Sequence, residues 1–181
     1  MTGTADTPEF SRLIPIDAIG TDGDTRRAIA ATSKECAALA VRLGLEGLQG
    51  FRAELTIDRM PAGEIWVHGR VCADVVQTCV VTLEPAPGRV DDSFEVRFTT
   101  REEPEVQDLV IGPDEEFPPE PLAGDALDIG ELSVQQLALA LDPYPRRPDA
   151  QIPRELLRDP SRDGPFAALA QLRAKEAGGK G

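Results

Sequence analysis

The sequence predicts an α+β fold: an antiparallel β-meander, curled or barrel-like, with two main helices and a short C-terminal helix. Three observations carry this. Apolar residues alternate with a period of two through the middle of the chain. Stripes at helical spacing stand before and after that region. Pro and Gly number 16 each among 181 residues, which requires many turns.

Residues 9–19 alternate partly and carry Pro15, so they read as an edge strand and a loop. GTDGD is a turn. The first helix is the clearest element. Thr32 and Glu35 have the spacing of a capping box. Cys36, Leu39, Ala40 and Leu43 fall on one face, and Gly44 is a natural stop. Cys36 therefore faces the core as a small hydrophobe.

The period then changes to two. Phe51, Ala53, Leu55 and Ile57 alternate with Arg52, Glu54, Thr56 and Asp58. After the turn MPAG, Ile65 to Val75 continue the alternation, a run long enough to predict a bend or a bulge at Gly69. Val75 to Leu83 is more uniformly apolar and reads as strand. PAPG, Pro85 to Gly88, reads as the next turn. Phe94, Val96 and Phe98 alternate again, giving about four strands in all.

Composition shifts after Arg101. From there to Glu131 the chain holds eleven acids, five prolines and one base, which predicts an extended acidic loop with a short strand at DLVIG. Asp128 is an N-cap for a second helix reaching Leu141, with Pro143 ending it. The last 36 residues reverse the charge, with eight bases and five acids. Pro165 to Ala174 reads as a short helix. The predicted organisation is a single α+β domain over 1–145, containing an acidic Pro-rich loop at 101–127. Residues 146–181 form a Pro-rich basic linker and the C-terminal helix.

The formal charge is −13, which disfavours binding to a phosphate backbone and suits a basic protein partner. Three cysteines without paired spacing argue against a disulfide framework. No apolar run is long enough to span a bilayer, and the N-terminus lacks a signal core. The expected setting is the reducing cytoplasm.

No catalytic constellation emerges. His68 is the lone histidine and sits in a strand that reads as structural. There is neither a G-x-S-x-G motif nor a phosphate-binding Gly loop, so no cofactor and no small-molecule substrate are expected. Cys72 and Cys79 are seven apart and point to opposite faces of an unbroken strand, so no metal site is expected. On chemistry alone Cys79 is a half-buried strand thiol without a cationic activator.

Several segments together resemble a known family. They are the strand with Gly69, Val71 and Ala73, then QTCVVTLEP, VDDSFEVRF, LDIGELSVQQLALALDPYP and PFAALAQL. The chain resembles the YceD-like large ribosomal RNA subunit accumulation proteins of bacteria, in a form similar to the alphaproteobacterial ones. In many relatives the stretch at Val76 to Cys79 reads Cys-x-Arg-Cys, and a further Cys follows the second helix. Here Val76 and Thr78 replace the first two of these, and no Cys follows Cys79, so a metal site of the family's kind is not expected.

The resemblance implies a non-enzymatic role in 23S rRNA accumulation and large-subunit assembly. With the acidity, it implies a basic large-subunit ribosomal protein or a pre-ribosomal particle as partner. The expected partner contacts are Gln77, Cys79 and Glu84 in the family stretch and Asp114, Glu115 and Glu116 in the acidic loop. The alternative is direct RNA binding by Arg146, Arg147, Arg154, Arg158 and Arg162, disfavoured by a net excess of only +3 and few aromatics for stacking.

Overall fold

A computed structural model describes residues 8–21, 25–60, 63–100, 118–122 and 124–152. The chain divides into two units, Met1–Arg147 and Pro148–Gly181. All the elements below belong to the first. In chain order they are β1 (Leu13–Pro15), a 3-10 turn (Ile16–Ala18), β2 (Thr25–Ala30), α1 (Ser33–Leu43), β3 (Gly47–Arg59), β4 (Glu64–Thr78), β5 (Pro85–Thr99), β6 (Glu120–Pro121), β7 (Ala126–Asp128) and α2 (Ile129–Ala140).

The α+β class holds. The main sheet runs β2-β3-β4-β5-β6, antiparallel except for the short parallel pair β5–β6. Among the described residues it is open, with β2 and β6 at its edges. β1 and β7 make a separate two-stranded ladder. The C-terminal helix expected at 165–174 and the strand expected at DLVIG lie outside the described residues.

The helix signals behave as their chemistry dictates. Thr32 and Glu35 form the reciprocal capping box of α1. Gly44 ends α1 at φ 65°, a left-handed conformation in which its N–H reaches the carbonyls of Ala40 and Val41. Asp128 caps α2 by accepting from the N–H groups of Gly130 and Glu131. The same carboxylate accepts from Ser11 Oγ at 2.5 Å and Arg12 N–H at 2.7 Å, so the cap also anchors the N-terminal segment. Glu131 does not complete a second capping box. It forms a two-point ion pair with Arg42 of α1, at 2.8 and 2.5 Å. Arg42 also reaches Glu9 at 3.1 Å.

Both helices pack on one face of the sheet. Phe51, Ala53, Leu55 and Ile57 from β3 and Ile65, Val67 and Val71 from β4 meet Leu39 of α1 and Ile129, Leu132 and Leu137 of α2 in a single core. Cys36 is buried there, as its helical position predicts. The alternate residues Arg52, Glu54, His68 and Arg70 face water. This is the one-sided wetting that period-two patterning specifies.

The meander gains one strand and two expectations about it need correction. RRAIA, unassigned from sequence, is strand β2: it pairs with β3 from Thr25↔Ile57 to Ala30↔Arg52. β4 is one strand of 15 residues whose pairing with β5 runs without a shift, so no bulge occurs at Gly69. A Cβ at Gly69 would lie 2.3 Å from the ring of Phe94. That glycine makes room for an aromatic ring on the neighbouring strand. The irregularity falls in β3, between Gln49 and Arg52, where Gly50 takes φ 61°. Finally, PAPG is not a turn. Pro85 and Pro87 belong to β5 and pair with Thr78 and Val76. Among the described residues β5 has no second neighbour there, so a strand without those N–H groups loses nothing. The turn lies six residues earlier than expected, at Cys79–Glu84.

Candidate partner-binding surface

The β4–β5 turn positions three of the residues singled out from the sequence. Cys79 N–H donates to Glu84 O and Leu83 N–H to Cys79 O, both at 2.9 Å, closing a tight loop. The chain after α2 returns across this loop. Gln77 Nε2 donates to Asp142 O at 2.9 Å. Val80 N–H donates to Pro145 O at 2.9 Å. Arg147 Nη1 meets the Glu84 carboxylate at 2.6 Å. Gln77, Cys79 and Glu84 thus come together, and their polar groups fasten residues 142–147 to the hairpin. Thr78 Oγ1 adds a tie to Glu46 at 2.8 Å.

Cys79 is fully buried at the centre of the loop. Its sulfur takes a hydrogen bond from the Thr82 hydroxyl and others from the backbone N–H groups of Arg147, Thr82 and Val81. These donors lower the thiol pKa from 9.0 to about 7, against burial, which pushes it up. The sequence showed no cation to activate this thiol, and none is required: the Thr82 hydroxyl acts first, with backbone N–H groups adding to it. The signal was local, a hydroxyl three residues after the cysteine.

The other sequence candidates do not join this cluster. Asp114, Glu115 and Glu116 lie outside the described residues, as do Arg154, Arg158 and Arg162. Arg146 is exposed, and Arg147 is half-buried and engaged with Glu84. Cys72 sits on the opposite sheet face from the core, its sulfur 3.4 Å from Asp91. Arg70 holds Asp91 through two bonds, at 2.6 and 2.8 Å. His68 lies 3.3 Å from Glu95, an ion pair only when the imidazole is protonated. Among the described residues no three His, Cys, Asp or Glu side chains converge as metal ligands. A broad hollow of about 920 Å³ on the water-facing sheet is lined by Arg26, Arg70 and His68 together with Glu54 and Glu95. Its mixed charge is that of an ordinary solvated sheet face. No described helix is long and apolar enough to cross a membrane.

Sequence reasoning missed the apolar part of this surface. Val80, Leu83 and Tyr144 are large and exposed, and Leu83 adopts φ 60°. The first two were taken for strand interior, and Tyr144 lay just past the proline that ends the second helix.

The comparison with family models is decisive at this point. The model of the large ribosomal RNA subunit accumulation protein YceD matches residues 67–173. The chain belongs to the YceD family. That stretch begins in β4 and includes the hairpin turn, α2 and the strap at 142–147. YceD membership ties the protein to accumulation of large-subunit ribosomal RNA, a ribosome-biogenesis role and not that of a known enzyme family. No curated protein and no solved structure matches the chain.

Proposed function

We propose that the protein is a non-enzymatic assembly factor that binds a basic large-subunit ribosomal protein through an acidic surface. The observation that carries this reading is charge. The chain is −13 overall, and the run from Arg101 to Glu131 alone holds eleven acids against one base. A surface of that sign repels polyphosphate and attracts the cationic proteins that fold onto ribosomal RNA. The few bases near the hairpin support the same reading, since the guanidinium of Arg147 is engaged with Glu84.

The partner associates through long-range attraction, so charge acts mainly on the on-rate. The test is stopped-flow association with individually purified basic large-subunit proteins. Neutralising Asp114, Glu115 and Glu116 together slows association, on the order of tenfold at low salt, and leaves dissociation nearly unchanged. Tight binding of naked ribosomal RNA at ordinary ionic strength, with no affinity for any cationic protein, overturns the reading.

A further inference from the structure

Four exposed apolar side chains lie on segments that hydrogen bonds tie to one another: the hairpin turn, the strap and the end of α2 that leads into it. Val80 and Leu83 stand on the hairpin turn. Tyr144 adjoins Pro145, whose carbonyl is bonded to Val80 N–H. Leu139 lies in the last turn of α2, just before Asp142, whose carbonyl is bonded to Gln77. Single exposed leucines are common and need no explanation. Leu83 differs. It is 76% exposed, so it contributes little to folding. It also holds φ 60°, a left-handed conformation that suits Gly or Asn and is costly for Leu. Neither packing nor backbone preference accounts for a leucine there.

The turn is also rigid. Four hydrogen bonds and ion pairs, made by Gln77, Thr78, Val80 and Glu84, join it and the adjoining end of β4 to Glu46 and to the strap at 142–147. An exposed apolar knob on a fixed frame is the form of a binding hot spot, because little ordering is left to be done on contact. Its charged margin carries the carboxylates of Glu46, Glu84 and Asp142 against Arg146 and Arg147. That margin is close to balanced, but the whole chain carries −13, so a second copy or a phosphate backbone approaches against like charge while a cationic segment is attracted.

From this we infer that the hairpin knob of Val80, Leu83, Leu139 and Tyr144 docks a short segment of a cationic protein in which apolar side chains alternate with Lys or Arg. The inference rests on the proposed function and adds the contact site: the acidic surface brings the partner in, and the knob holds it.

The experiment uses the full chain and two synthetic peptides of equal length and charge, one alternating Lys with Leu and the other Lys with Ser. Calorimetry at near-physiological salt is expected to show the Lys–Leu peptide binding about tenfold tighter or more, the effect of burying one or two large apolar side chains. Leu83→Asn, which keeps the left-handed backbone, and Tyr144→Ser each remove that preference and leave the Lys–Ser affinity unchanged. Melting curves confirm that both variants fold. If neither peptide binds, the electrostatic reading under Proposed function fails. If both bind equally, or if the preference survives both substitutions, the knob is not the contact and this inference alone fails. A wild-type dimer that Leu83→Asn dissolves, or ribosomal RNA binding that it abolishes, overturns the inference in favour of another occupant.

Discussion

Leu83 and Cys79 show how one turn sets unusual demands on single residues. Relieving a left-handed Leu recovers ~1–2 kcal/mol, and the extra freedom of an unfolded Gly returns ~0.5–1 kcal/mol of that. Leu83→Gly is therefore expected to raise unfolding free energy by about 0.5–1 kcal/mol in urea titrations, while weakening partner binding. Equal or lower stability would show that the left-handed strain is absent. Cys79 makes a pH prediction. Its folded pKa, about 7, lies below the ordinary 9.0. The thiolate form is favoured in the folded state, so its stabilisation is complete above pH 9 and is lost as pH falls through 7. The melting temperature of the wild type should rise between those limits, and Cys79→Ala should flatten that rise. The sequence placed this cysteine in a strand, because a run of β-branched residues hides a turn that has neither Gly nor Pro within it.

At the scale of elements, the caps and stripes of α1 and α2 were legible because each is local chemistry within a few residues. What the helices touch was not. Gly130 opens α2, and Gly→Ala in a helix normally stabilises by about 1 kcal/mol. Here an added Cβ would lie 2.4 Å from the Phe10 carbonyl oxygen, which is backbone and cannot turn aside. Gly130→Ala is expected to destabilise by ~2 kcal/mol or more, by displacing residues 10–12 from the helix start. A stabilised variant in thermal unfolding would contradict that contact. The Arg42–Glu131 pair joins α1 to α2, and the Arg42 hydrogen bonds hold the Glu131 carboxyl below its ordinary 4.5. A carboxylate lowered on folding stabilises above its unfolded pKa and ceases to do so as pH falls through the folded one. Glu131→Gln should therefore cost about 1 kcal/mol at pH 7, limited by solvent screening, and nothing once both forms are protonated. An undiminished difference at low pH would mean that Glu131 acts through packing.

Over the whole molecule, charge and topology separate what is local from what is not. The net charge sets the sign of every long-range encounter, so association with a cationic partner should slow steadily as salt rises. A rate insensitive to salt would remove the electrostatic argument altogether. The basic segment from Arg146 carries a net excess of only +3, and deleting 146–181 is expected to leave RNA affinity unchanged. The residues alone determined the α+β class, both main helices with their caps, the wet and dry faces of β3 and β4, and the acidity. These follow from periodicity and near-neighbour chemistry. Only the tertiary structure decided that RRAIA is a strand and that Pro85 and Pro87 lie within one. Only it set Gln77, Cys79 and Glu84 against residues 142–147, beside an exposed Leu83 and Tyr144. Those contacts join residues more than sixty positions apart, as Gln77 to Asp142 and Glu84 to Arg147 show. Such pairings depend on how packed elements return the chain, a property that no local window of side chains encodes.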